Sequence, residues 1–131
     1  MLLSQLRTQE KFAFLFIAHH IAKADGIFGN REKSIINDYC VEMGIDDIIY
    51  DEKTYFIDEC LSKFNSIKSQ KILLLELMIL VHVDDKFNHY ESNLIDIISK
   101  KFKIDKTQVK YASSWGKAIS ALREQALLMI D

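Results

Sequence analysis

Two short stretches carry residues whose types and spacing suit cation chemistry. Asp25-Gly26-Ile27-Phe28-Gly29-Asn30-Arg31-Glu32 and Asp84-Asp85-Lys86-Phe87-Asn88-His89-Tyr90-Glu91 share the pattern Asp-x-x-Phe-x-x-x-Glu. Carboxylates, turn carbonyls and water are the hard oxygen ligands that Ca2+ and Mg2+ take. Asp25, Glu32, Asp84 and Glu91 are therefore candidate metal ligands, and Asp85 adds a further carboxylate to the second stretch. Neither stretch is an EF-hand, because the alternating acids and the glycine at the sixth loop position are missing. His82 and His89 flank the second stretch, and a nitrogen ligand there would favour a transition metal. A histidine beside a turn is more often solvated or capping, so the expected ion is Ca2+ or Mg2+.

The same acids have a purely structural reading. Glu91 follows Asn88 by three, and Glu32 follows Gly29 by three, the spacing of a capping box. Both glutamates fall in a first helical turn, where negative charge is favoured by about 0.3–1 kcal/mol. Asp25 and Asp84 stand at helix C-termini, where the macrodipole disfavours an acid, unless amides of their own turns compensate them. Bracing and metal binding remain compatible readings. Phe28 and Phe87 read as plugs that pin the turns into the core.

The elements that must position these turns are helices. The chain of 131 residues has no proline and only four glycines, and nearly half of it is apolar, which favours a helical globule. A first helix is expected from about Ser4 to Ala24, with Phe14, Ile17, Ala18, Ile21 and Ala22 as its inner stripe. A second runs from near Asn30 to a left-handed cap at Gly44, with Ile35, Ile36, Tyr39, Cys40 and Met43 inward. Extending these stripes lands on Asp25 and Glu32, so the two carboxylates should converge where the hairpin turns. A third helix is expected over about Glu52 to Phe64, with Tyr55, Phe56, Cys60, Leu61 and Phe64 inward. Asn65-Ser66 caps a fourth, Ile67 to Val83, apolar nearly all round, whose one acid, Glu76, belongs at a rim or beside a base. A fifth spans about His89 to Phe102. Asp105 and Gln108 form a capping box opening a last helix to about Met129. Its expected inward residues are Val109, Tyr111, Ala112, Trp115, Ala118, Ile119, Leu122 and Ala126.

A shift of 59 residues superposes the two acidic stretches. It brings Asp25 onto Asp84, Phe28 onto Phe87, Glu32 onto Glu91, Ile36 onto Ile95, and Ile45-Asp46 onto Ile104-Asp105. The expected fold is an all-α, single-domain bundle of about six or seven helices over 1–131. Two pseudo-repeated helix–turn–helix units cover about 12–46 and 71–105.

Ile-Ala-Lys-Ala-Asp-Gly-Ile at 21–27, Glu32 seven residues after Asp25, and Met-Gly-Ile at 43–45 resemble the TerB family. That family comprises the tellurite-resistance TerB proteins and TerB-like domains, one of them in membrane-anchored J-domain co-chaperones. The second copy, Asp84 to Glu91 with Lys103-Ile104-Asp105, is similar to the family's second acidic turn. The resemblance covers about Phe12 to Asp105. It implies an all-α domain whose acidic positions chelate a divalent metal, in a family tied to stress response. Asp85 departs from the pattern where the first copy has Gly26, which makes the two turns unequal.

The remaining features narrow the function classes. A net charge of −2 gives no basic footprint for nucleic acid. Lys100-Lys101-Phe102-Lys103 reads as the solvated end of a helix. No leader pattern or spanning apolar run is present, so a cytoplasmic chain without direct membrane insertion is expected. Cys40 and Cys60 have no ligand-like spacing and read as core thiols in a reducing compartment. The histidines His19 and His20 lie mid-helix, one of them expected half exposed, and neither is expected to be a ligand. No nucleophile–base–acid grouping and no phosphate-cradling loop appears, so an enzyme is not expected. Two functions follow: a small TerB-like domain binding a divalent cation, or a non-enzymatic interaction module with a protein partner whose acids only brace the turns.

Overall fold

The computed structural model describes residues 1–23, 30–83 and 89–131. Among them the chain is all-α, with two 3-10 turns, six α-helices and no strand. The helices are α1 (Thr8–Lys23), α2 (Asn30–Met43), α3 (Ile57–Leu61), α4 (Ile67–Val81), α5 (His89–Phe102) and α6 (Lys106–Ile130). No helix among the described residues is long and apolar enough to cross a membrane. The chain forms two compact units, Met1–Leu73 and Leu74–Asp131, and the boundary falls within α4.

In the first unit α1 packs on α2 and α3. The expected stripes of α1 and α2 are both buried, and Phe14 meets Tyr39 edge-on with ring centroids 5.0 Å apart. α1 starts later than its pattern suggests. Leu3–Gln5 forms a separate 3-10 turn, Leu6 is extended, and the Arg7 amide donates to Glu10 Oε1 at 2.8 Å. That reach-back satisfies one of the orphan amides of the first turn of α1. Lys11 Nζ donates to the Met43 carbonyl at 3.0 Å, which ties α1 to the last turn of α2.

The expected third helix is mostly absent. Asp51 accepts from the Lys53 amide at 2.9 Å and closes a 3-10 turn over Glu52–Thr54. Thr54, Tyr55 and Phe56 favour extended backbone, and Phe56 at φ −133°, ψ 115° precedes a helix of only five residues. Phe56 consequently faces solvent, 61% exposed, rather than the core.

In the second unit the last turns of α4 are buried nearly all round. Glu76 is buried and takes part in a polar interaction, so it does not sit at a rim. Of the apolar stripe expected to face inward on α5, Leu94, Ile95 and Ile98 are buried and Phe102 is half-buried. α6 opens at Asp105, whose side chain accepts from the Gln108 amide at 2.8 Å. It crosses α4 backbone to backbone: a Cβ on Gly116 would lie 2.6 Å from the Met78 carbonyl carbon. Ser113, one turn earlier, bonds His82 Nε2 at 3.0 Å. This narrow strip of small residues replaces the wide inward stripe expected of α6. Ala112 is buried, Trp115 and Ile119 are half-buried, and Tyr111, Ala118, Leu122 and Ala126 are exposed.

Several element bounds share the 59-residue offset seen in the sequence. Thr8 and Ile67, Asn30 and His89, and Met43 and Phe102 are each 59 positions apart, so α1 and α4 start in register and α2 and α5 both start and stop in register. Their ends match in chemistry as well. Ile45 N donates to Cys40 O and Gly44 N to Val41 O; Ile104 N donates to Ser99 O and Lys103 N to Lys100 O. These are two Schellman motifs, with Gly44 (φ 68°) and Lys103 (φ 56°) at the left-handed position.

Candidate functional site

Of the five expected ligands the structure describes Glu32 and Glu91; Asp25, Asp84 and Asp85 lie outside the described residues, as do Phe28 and Phe87. Glu32 is the third residue of α2 and Glu91 the third residue of α5. At that position a carboxylate lies close to the free amides of the first turn. Glu32 is half-buried; Glu91 is buried, 9% exposed, and takes part in a polar interaction. The two belong to different units. His82 Nε2 is engaged with Ser113. Among the described residues no three His, Cys, Asp or Glu side chains group so as to hold a metal.

A denser polar constellation lies just upstream, around the two histidines of α1. His19 is buried and its Nε2 lies 2.8 Å from Asp47 Oδ1. A carboxylate only accepts, so Nε2 carries the proton. His20 Nδ1 lies 2.7 Å from the Tyr50 hydroxyl, and its ring stacks on Tyr55 at 4.2 Å between centroids. Lys23 Nζ lies 4.9 Å from the centre of the Tyr50 ring. The histidines thus fasten the segment 45–55, which has no α-helix of its own, to the last turns of α1.

Burial sets the protonation states here. It holds His20 below its ordinary pKa, with the Glu52 charge opposing, and it raises Tyr50, with Glu52 and Asp51 adding. Tyr55 is raised further for the same reason, with Cys60 next. At neutral pH the cluster is a neutral imidazole between two protonated phenols.

A cavity of about 630 Å3 opens beside this cluster, lined among others by His19, Lys33, Asn37, Cys40, Asp46 and Asp47. Cysteine, histidine and acid in one cavity invite comparison with a nucleophilic triad, but the order is wrong. A triad needs the imidazole between nucleophile and acid. Here Asp47 bonds the imidazole and also faces the thiol. Burial first, then the charge and hydrogen bond of Asp47, push Cys40 up to about 11. Cys60 is likewise held at about 11, by burial and then Glu59. Both cysteines are free, and both stay protonated at neutral pH.

Sequence reasoning treated His19 and His20 as isolated mid-helix residues and missed this role. No local pattern pointed to it, because Asp47 and Tyr50 lie 28 and 30 residues from their histidine partners. Comparisons of the chain with protein-family models, with curated proteins and with solved structures found no match.

Proposed function

We propose that this chain is a small, non-enzymatic TerB-like helical domain that takes a divalent cation at its two acidic helix–turn–helix loops. The observation that carries the reading is the position of Glu32 and Glu91. The repeat places them at the same residue of two helices in register, and both side chains are drawn in from solvent. Asp25, Asp84 and Asp85 complete the donor set with oxygen ligands suited to Ca2+ or Mg2+. Binding neutralises the carboxylates and stiffens each hairpin. By its resemblance to the TerB family, the proposed setting of such a domain is a stress response.

A second reading is an interaction module with a protein partner, in which the acids brace their turns. It is supported by how this chain opens its other helices, where Glu10, Asp51, Ser66 and Asp105 each satisfy a nearby amide without a metal.

Thermal melts separate the two. Under the cation reading, Ca2+ or Mg2+ at a hundredfold excess over Kd stabilises the fold by about 2.7 kcal/mol. The gain disappears in Asp25→Asn/Asp84→Asn. A melt unmoved by Ca2+, Mg2+, Mn2+ and Zn2+, with the asparagine variant destabilised, leaves the bracing reading standing alone.

A further inference from the structure

We propose that the cleft between α1 and the segment 54–63 is a binding site for a small, uncharged aromatic molecule of about two rings. The cleft lies wholly within the first unit and uses none of the acids of the two turns, so it stands whichever reading of those turns holds.

Helix α1 is apolar on two sides. Its inner stripe, Phe14, Ile17, Ala18 and Ile21, fills the core, and Gln9, Phe12, Ala13 and Phe16 recur at the same three- and four-residue spacing on another face. Phe56, Glu59, Cys60 and Lys63 repeat that spacing on and around α3, which packs against α1. The two rows line one cavity of about 290 Å3, at the lower end of the roughly 300–1,000 Å3 of ligand pockets. Its walls are aromatic, with Phe12 and Phe16 from α1 and Tyr55 and Phe56 from the other side. Ala13 and Cys60, small residues of the same rows, leave the space between them. Two of the rings are left in water, Phe12 37% and Phe56 61% exposed. A ligand that covers them recovers apolar burial that the fold itself forgoes.

Three features select the occupant. The rings offer faces and edges to another π-system, which a saturated molecule of equal size cannot use. Glu59 and Lys63 bring one charge of each sign to the lining, four positions apart, so the mouth has no net charge to attract an ion. The row from Gln9 to Phe16 is about 10 Å long, roughly two turns of helix, which holds a two-ring molecule and is too short for a partner's helix. The far wall is built in advance. Tyr55 stacks on His20 at 4.2 Å between centroids, His20 bonds Tyr50, and the Phe56 carbonyl accepts from the Cys60 amide at 3.1 Å. Binding therefore requires little ordering of the chain.

Titration of the whole chain with indole, followed by backbone amide shifts in NMR spectra, tests the site. Saturable binding is expected, with a dissociation constant between about 10 μM and 5 mM, and the shifts that move should cluster in 9–16 and 54–63. Phe56→Ala truncates an exposed ring at little cost to the fold and should weaken binding at least about fivefold. Ile49→Ala, at a residue 94% exposed and away from the lining, should change the dissociation constant less than about twofold. Phenol should bind at least about twofold more tightly than cyclohexanol, its saturated counterpart. Indole-3-acetate and tryptamine, which add a negative and a positive charge, should bind no more tightly than indole. No saturation below about 10 mM indole overturns the proposal, and so do shifts centred elsewhere or an equal effect of the two substitutions. Cyclohexanol binding as well as phenol, or a charged analogue binding about tenfold more tightly than indole, overturns it as well.

Discussion

The two copies of the repeat begin alike and end differently. Arg7–Glu10 before α1 and Ser66–Ser69 before α4 make the same reach-back, a side chain three residues on accepting from the backbone amide. The helices that follow are in register, and the Schellman turns at Gly44 and Lys103 coincide. After that point Ile45-Asp46 and Ile104-Asp105 lead to opposite outcomes. Asp105 is followed by Lys-Thr-Gln and caps a helix of 25 residues. Asp46 is followed by Asp47-Ile48-Ile49, and the chain runs without a helix until the 3-10 turn at Glu52. The first copy compensates with His19 and His20, whose counterparts in the second copy are Met78 and Ile79. One copy holds its continuation by side-chain hydrogen bonds, and the other by backbone packing at Gly116 beside the His82–Ser113 bond. The same cap can therefore serve either architecture, and the residues just after it decide which.

The sharpest way to break the equivalence is to move a buried residue between copies. Ile17 in α1 corresponds to Glu76 in α4, and both are buried. Ile17→Glu puts a carboxylate where the first copy has no site prepared for it, and a loss of about 3 kcal/mol or more is expected in urea melts. A loss below about 1 kcal/mol would mean the two positions are interchangeable after all.

A smaller effect separates the two caps. Gly44 adopts its left-handed conformation without a Cβ penalty, whereas Lys103 carries one. Gly44→Ala should destabilise the chain by about 1 kcal/mol, and Lys103→Gly should stabilise it by a few tenths to about 1 kcal/mol. Opposite signs in a pair of thermal melts confirm that the turns are the same device. Equal signs refute it.

The smallest effect belongs to the histidine fastening. Burial keeps His20 neutral in the fold, so the unfolded chain takes up a proton first as pH drops. Stability from this group is present above about pH 6.5 and is lost as pH falls below it, toward the lowered folded value. His20→Gln should flatten the slope of melting temperature against pH between 7 and 5.5. An unchanged slope would locate the pH dependence elsewhere.

Much of the fold was legible because it follows from local rules. The apolar periods of α1, α2 and α5 are strong, Gly44 and Asp105 punctuate clearly, and the 59-residue shift emerges from six matching residues. The third helix was misjudged because Tyr55, Phe56, Cys60, Leu61 and Phe64 fit a helical stripe, while Thr54-Tyr55-Phe56 also favour extended backbone. The latter preference prevailed once Asp51 had closed its turn. The inward face of α6 was drawn too wide because periodicity counts apolar residues and cannot weigh a backbone crossing. The histidine cluster was invisible for a related reason. Its members, His19, His20, Asp47, Tyr50 and Tyr55, are distant in sequence and meet only when the segment 45–55 folds back on α1.

The crossing at Gly116 also acts as a clock for α6. Its neighbours in the chain are Trp115 and Lys117. A slip of one residue either way would drive an indole or a lysine stem into the Met78 backbone, so only one rotation of the helix about its axis is admissible. That single setting determines where every later side chain points. The direction in which Leu122 and Met129 face is thus decided about 1.7 and 3.6 turns before them, at a residue with no side chain.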